Sequence, residues 1–271
     1  MYIEYWGLKE LPFENVPDSR FFYHSAQHEE GLSRLQYAVE NKKGAAMLTG
    51  IYGCGKTVLA KTLLAGLKRR NYQIAFIDNP QLRAVELLRS IARHLGAEGL
   101  PNKFSDMSVD YFLEVIENIL INNSKDGRET LLVIDEAHVI TDLDVFEQLR
   151  MLLNFQSENR FLLTLILMGQ SELQERVAKI KQLLQRIVLS FHIGPLSEEE
   201  TGNYISHRLS VSGASAQLFE PDAVKSIFKA SGGIPRRINH ICDLCLFVGS
   251  GNNSKSVDSG IVETTMSSFE V

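Results

Sequence analysis

The chain has 271 residues, 44% of them hydrophobic, three cysteines and a formal net charge of −5. That length and apolar content allow one large domain or two moderate ones with a real core, and three cysteines cannot build a disulfide framework. The acidic balance argues against a surface made throughout to hold polyanions; no apolar run approaches the ~20 residues of a membrane helix, no basic-then-apolar leader is present, and a reducing cytoplasm is the expected compartment.

In chain order, Tyr5-Trp6-Gly7-Leu8, Leu11-Pro12-Phe13, Pro17-Asp18 and Phe21-Phe22-Tyr23 crowd aromatics and prolines into too short a span for a regular element. An ordered apolar strap is expected, either packed on the domain or laid over a ligand. Ser25 caps a helix with His28 and Glu29 in its first turn and Leu32, Leu35 and Val39 on one face. Ala45 to Thr49 reads as a short buried strand. It runs into Gly50-Ile51-Tyr52-Gly53-Cys54-Gly55-Lys56-Thr57, a full G-x-x-x-x-G-K-[ST] loop, and Val58 to Leu67 repeats apolar residues at helical spacing. Strand before and helix after make this match specific. Glycines leave backbone N–H groups uncrowded at the positive end of a helix, Lys56 brings a point charge for the β and γ phosphates, and Thr57 offers a hydroxyl to Mg²⁺. Gly50 to Val58 is therefore the expected nucleotide site, with ATP and Mg²⁺ as its ligands.

A second strand spans Gln73 to Ile77, followed by a helix from about Leu82 to Leu95, a polar connector from Gly96 to Ser108, and a helix from Val109 to Ile121. Lys68-Arg69-Arg70 reads as a solvated helix end. Thr130 to Ile134 is an unbroken apolar run, as in a central parallel strand buried on both faces, and it ends in Asp135-Glu136. Such a pair completes an ATPase site: Asp135 would order Mg²⁺ and Glu136 would polarise the attacking water. Asp135-Glu136-Ala137-His138 spells the tetrapeptide of one helicase superfamily, but those enzymes need two tandem motor domains and this chain has one phosphate loop.

A helix from about Asp142 to Phe155 leads into a strand from Phe161 to Met168, with Gln170 at its end as a candidate γ-phosphate sensor. Ser171 to Leu184 reads as one helix and Ile187 to Ile193 as the last strand. Arg186, where helix hands over to strand, is the candidate to reach a neighbouring subunit's nucleotide, with Arg150 as runner-up. After Gly194-Pro195 only helices follow: near Glu200–Val211, capped by Ser197, then Pro221–Ala230, Pro235–Val248 and Val257–Phe269. Ser231-Gly232-Gly233-Ile234-Pro235-Arg236-Arg237 puts Arg236 at a helix start, placed to report on the phosphates, with Arg237 as the alternative. His240, Cys242 and Cys245 lie on an apolar helix with no second cluster to complete a metal site, so a core role is expected for the cysteines. Asp78-Asn79-Pro80-Gln81-Leu82 stands where threading motors carry an aromatic pore loop, which disfavours peptide threading.

Taken together, the chain resembles an AAA+ ATPase of the general secretion pathway protein A (GspA/ExeA) family. The likeness is carried by Tyr5 to Leu8, Pro12-Phe13, Pro17-Asp18, Phe21 to Tyr23 with Ser25 and His28, the phosphate loop, Ile134 to His138, Leu149 to Phe155, Gly169 to Leu173, Gln185 to Ile187 and Gly233 to Asn239. It implies an α/β P-loop fold with a five-stranded parallel sheet in order 5-1-4-3-2, a helical lid, ring or filament self-assembly, and sensor roles for Gln170 and Arg236. The implied layout is a strap and first helix in 1–43, the nucleotide core in 44–195 and the lid in 196–271. Ile51 replaces an acidic residue and His138 a glutamine of many relatives. Larger members continue into a membrane span and a peptidoglycan-binding domain, both beyond the 271 residues here. A protein partner is expected, with work in the cytoplasm or at the inner-membrane face; the alternative is a transposition-type regulator assembling on DNA.

Overall fold

A computed structural model describes residues 2–67, 71–101, 108–157 and 160–269, so Lys68-Arg69-Arg70 and residues 102–107 of the 96–108 connector lie outside the described residues. Two compact units emerge: residues 30–50 with 62–193, and residues 1–29 with 51–61 and 194–271.

The first unit is built on five parallel strands, β1 (Ala45–Gly50), β2 (Tyr72–Ile77), β3 (Glu129–Ile134), β6 (Leu163–Gly169) and β7 (Ile187–Ile193). A two-stranded antiparallel ribbon, β4 (Gln156–Ser157) with β5 (Arg160–Phe161), takes the two intervening numbers, so the expected order 5-1-4-3-2 is found as β7-β1-β6-β3-β2. The three inner strands are buried nearly throughout, which is why they read as continuous apolar runs, whereas edge strand β7 alternates more and less exposed residues. Ala45 and Met47, Ala75 and Ile77, Leu132 and Ile134, and Leu163, Leu165 and Leu167 share one face by their period of two. That face joins a core with residues of α4 (Ala84–His94), α5 (Val109–Lys125), α6 (Leu143–Leu152), α7 (Glu172–Ala178) and α8 (Lys181–Arg186).

Two elements differ from the sequence expectation. The strand expected from Phe161 breaks at Leu162, because Phe161 is taken by the ribbon and Leu162 N donates to Phe155 O at 3.1 Å. The helix expected from Ser171 to Leu184 is two helices. One continuous helix would align Leu184, rather than Leu183, with Leu173 and Val177; the break at Lys179–Ile180 instead leaves Leu183 fully buried and Leu184 exposed. No helix among the described residues is long and apolar enough to cross a membrane.

The second unit has its own core around α9 (Glu198–Val211), α10 (Pro221–Ser231), α11 (Pro235–Gly251) and α12 (Ser259–Phe269). Ser197 and Glu200 close a reciprocal capping box on α9. The aromatic strap carries a short helix α1 (Tyr2–Tyr5) and a 3₁₀ turn at Ser19–Phe21, and Trp6, Leu8 and Phe13 are part of this core. Its polar ties are specific: Trp6 Nε1 donates to Leu246 O at 2.9 Å, and Arg208, 6% exposed, donates to Pro12 O and Glu14 O. Packing into the helical core is thus what the strap does in this structure. Gly232-Gly233 turns α10 into α11; Gly233 has φ +73°, and a Cβ there would lie 2.0 Å from Leu196 O, so no other residue fits. This turn fixes where Arg236 begins α11.

Candidate nucleotide site

The phosphate loop leaves the carboxyl end of β1, and α3 (Lys56–Leu67) begins at Lys56, two residues before the sequence pattern suggested. Gly53 (φ +84°) and Gly55 (φ +91°) hold conformations that L side chains rarely adopt, so the loop's curvature depends on them. Lys56 is 5% exposed and its Nζ donates to Ile51 O at 3.1 Å, folding the ammonium back into the loop. Thr57 and Val58 sit half-buried in the first turn of α3, while Ile51 and Tyr52 are 41% and 53% exposed. Glycine backbone at positive φ, a buried ammonium and a helix start are the parts that fit a polyphosphate.

Arg236 reaches this loop. Its backbone N donates to Gly53 O at 3.2 Å, its guanidinium lies 4.8 Å from the Tyr52 ring centre, and a Cβ on Gly53 would come within 2.8 Å of its own Cβ. Arg237 is exposed in the next position.

His28, in the first turn of α2 (Ala26–Glu40), is a support for the loop. Nε2 contacts Cys54 O at 2.9 Å and Nδ1 contacts Ser25 Oγ at 2.7 Å. A carbonyl accepts only, so Nε2 carries the proton and Nδ1 accepts from the serine: a neutral imidazole with both nitrogens satisfied. Spacing could not have revealed this pairing across 26 residues.

In the sheet unit, β3, β6 and β1 are parallel neighbours, with Ile134 beside Leu167 and Thr49 beside Gly169. Asp135, Gln170 and the end of β1 at Gly50 therefore share the carboxyl edge, where open α/β sheets bind ligands. Asp135 is 3% exposed and its Oδ1 accepts from Glu136 N at 2.8 Å. Glu136 itself has φ +52°, an uncommon conformation for a residue other than glycine, and its side chain is 35% exposed. Gln170 Nε2 lies 2.9 Å from His138 Nε2.

Residues 39–177 match a family described as AAA domain. The chain belongs to this family. General secretion pathway protein A of Aeromonas hydrophila is 34% identical over 100% of this chain and 48% of its own length. The chain spans about half the length of the curated relatives it matches. Among solved structures, the ORC2 protein of Aeropyrum pernix, described in ADPNP–ADP complexes, aligns with TM-score 0.69 at 17% identity over 93% of this chain and 72% of that one. Drosophila ORC bound to DNA aligns with TM-score 0.73 at 16% identity over 97% of this chain and 65% of that one. Identities this low speak for the fold alone, and the fold is that of an AAA+ ATPase of the GspA-like kind.

Within this AAA+ chain the two candidate arginines differ in their partners. Arg150 is ion-paired with Glu147 at 2.6 Å and its side chain is 16% exposed. Arg186, last residue of α8, donates to Asn154 Oδ1 at 3.3 Å and lies 5.5 Å from the Phe161 ring centre. Both partners are neutral, so its charge has no carboxylate partner among the described residues. The three cysteines are buried, burial pushes each thiol up, and no group of metal-binding residues occurs among the described residues.

The His28 geometry carries a pH prediction. Burial holds its imidazole below the ordinary 6.5, as it does for His207, so the unfolded chain binds more protons than the folded one once pH falls through 6.5. The stability these neutral rings contribute is present above that pH and is lost below it, by at most about 1.4 kcal/mol per pH unit per group. Urea unfolding between about pH 7.5 and 5.5 should show this fall, and His28→Gln should flatten it; parallel slopes for parent and variant would contradict the assignment.

Proposed function

We propose that this chain is an oligomeric AAA+ ATPase that binds and hydrolyses ATP in order to switch or assemble a partner protein complex, in the manner suggested by its secretion-pathway relative. The observation that carries this reading is Arg236 of α11 resting on the phosphate loop, through Gly53 and Tyr52. A helix start that holds the loop's backbone couples the lid helices to whatever fills the loop.

In this reading Gly50 to Val58 cradle the triphosphate and Lys56 neutralises it. Thr57 and Asp135, hard oxygen donors, hold Mg²⁺, which spreads charge away from the phosphate oxygens when bound. Glu136 polarises water, Gln170 faces the γ-phosphate, Arg236 reports on lid position, and Arg186 serves the nucleotide of the next subunit in a ring or filament. Residues 1–43, 44–195 and 196–271 divide the work as strap and first helix, nucleotide core and lid. We place the protein in the cytoplasm, working at the inner-membrane face when its partner is there.

The same fold serves Drosophila ORC bound to DNA, so DNA is the reading to test against. Phosphate contacts release counterions, so a DNA-directed assembly would bind duplex in an ATP-dependent way that weakens steeply with salt. With a net charge of −5, the expected result is no such binding below micromolar concentration at about 0.15 M salt. Light scattering should meanwhile show Glu136→Gln growing into a larger species when ATP is added. Tight, salt-sensitive duplex binding by that ATP-loaded variant would replace the protein-partner reading with the DNA one.

A further inference from the structure

His138 stands two residues beyond the acidic pair, in a 3₁₀ turn at Ala137–Val139, and its side chain is 13% exposed. One ring nitrogen, Nε2, is 2.9 Å from Gln170 Nε2. The other, Nδ1, is 3.5 Å from Glu136 Oε2 and is buried without a hydrogen bond. An amide nitrogen only donates, so the imidazole accepts at Nε2 and carries its proton at Nδ1, aimed at the Glu136 carboxylate. Turning the Gln170 amide over would move the proton to Nε2 and set the Nδ1 lone pair against that carboxylate, two acceptors face to face. The first arrangement is the favourable one.

The backbone is built for it. Gly169, at the end of β6, lets the turn approach: a Cβ there would lie 3.0 Å from His138 N and 3.2 Å from its Nδ1. Glu136 takes its left-handed conformation at φ +52° and ψ 29°, which turns the chain off β3 and brings its carboxylate to the His138 side. Gln170, His138 and Glu136 thus meet through two contacts, and the one between Gln170 and His138 spans 32 residues of sequence.

We infer that His138 is a positioning residue that relays the state of Gln170 to Glu136. With Gln170 held on the imidazole, the Nδ1 proton draws the Glu136 carboxylate toward the turn. When Gln170 donates to a phosphate oxygen instead, Nε2 loses its donor, the ring is no longer fixed in that tautomer, and the carboxylate is released toward water. This rests on the reading of Glu136 and Gln170 given under the proposed function. A glutamine side chain would do the same work, accepting through its oxygen and donating through its nitrogen.

The test uses the full chain in three forms: parent, His138→Leu and His138→Gln. His138→Leu should lower kcat about 10- to 100-fold, as expected when a reacting group is misplaced, with KM for ATP changed less than about twofold. His138→Gln should recover most of that loss, to within about threefold of the parent. Nitrogen NMR of the ligand-free parent should show His138 protonated at Nδ1, and a non-hydrolysable ATP analogue should move the Nε2 resonance in the parent but not in Gln170→Leu. A parental kcat in His138→Leu, a His138→Gln no faster than the leucine form, or an Nε2–H tautomer in the ligand-free protein would each overturn the relay. The reading it rests on fails separately, through a Glu136→Gln form that still turns over ATP at the parental rate; the NMR result decides the relay whether or not the leucine variant folds.

Discussion

Lys56→Ala is expected to lose ATP binding, whereas Glu136→Gln should keep binding and lose turnover. The first effect follows from burial: Lys56 is 5% exposed and folded onto Ile51 O, so its charge is offered inside the loop, where little water competes with a phosphate for it. Nothing in an alanine replaces that charge. Glu136→Gln would remove the carboxylate proposed to polarise water while keeping size and shape, and a positioned general base contributes roughly 10² to 10⁴ in rate. Equilibrium binding of a fluorescent ATP analogue and steady-state phosphate release separate the two phenotypes. Full phosphate release by Glu136→Gln would remove the glutamate from its role, and undiminished binding by Lys56→Ala would remove the loop from its own.

Arg186→Ala is expected to fold, bind ATP and hydrolyse it far more slowly. The structure distinguishes it from Arg150, which is neutralised by Glu147, whereas Arg186 leans on an asparagine and a phenylalanine ring. A guanidinium at the end of α8 with no carboxylate partner among the described residues can serve another anion at little cost. An arginine donated to a phosphoryl-transfer transition state is worth roughly 10³ to 10⁵ in rate, while a surface contact is worth about 1 kcal/mol or less of stability. The two magnitudes cannot be confused. Specific activity of the parent should rise with protein concentration, and mixing Arg186→Ala with Lys56→Ala should restore part of the rate, because some interfaces then pair an intact loop with an intact arginine. If Arg186→Ala and Arg150→Ala both keep full activity and activity is independent of concentration, completion by a neighbouring subunit is wrong.

The sequence by itself determined the features whose causes are local. The phosphate loop at 50–57 is legible because Gly53 and Gly55 take positive φ and its neighbours must be a buried strand and a helix. The acidic pair is legible because it ends an apolar run that only a doubly covered central strand requires, and Ser197 with Glu200 because a capping box is complete within four residues. Strand order followed from the family resemblance and not from spacing. What only the tertiary structure decided are contacts whose partners lie far apart in the chain: His28 under Cys54, Arg236 on Gly53 and Tyr52, the strap in the helical core, and Gln170 against His138 across 32 residues. Periodicity reports which face of an element is apolar, but not which face of which neighbour it meets. The break at Lys179–Ile180 shows the limit from inside a single element, since it lets Leu183 be buried in a core whose other walls come from the sheet and from α6.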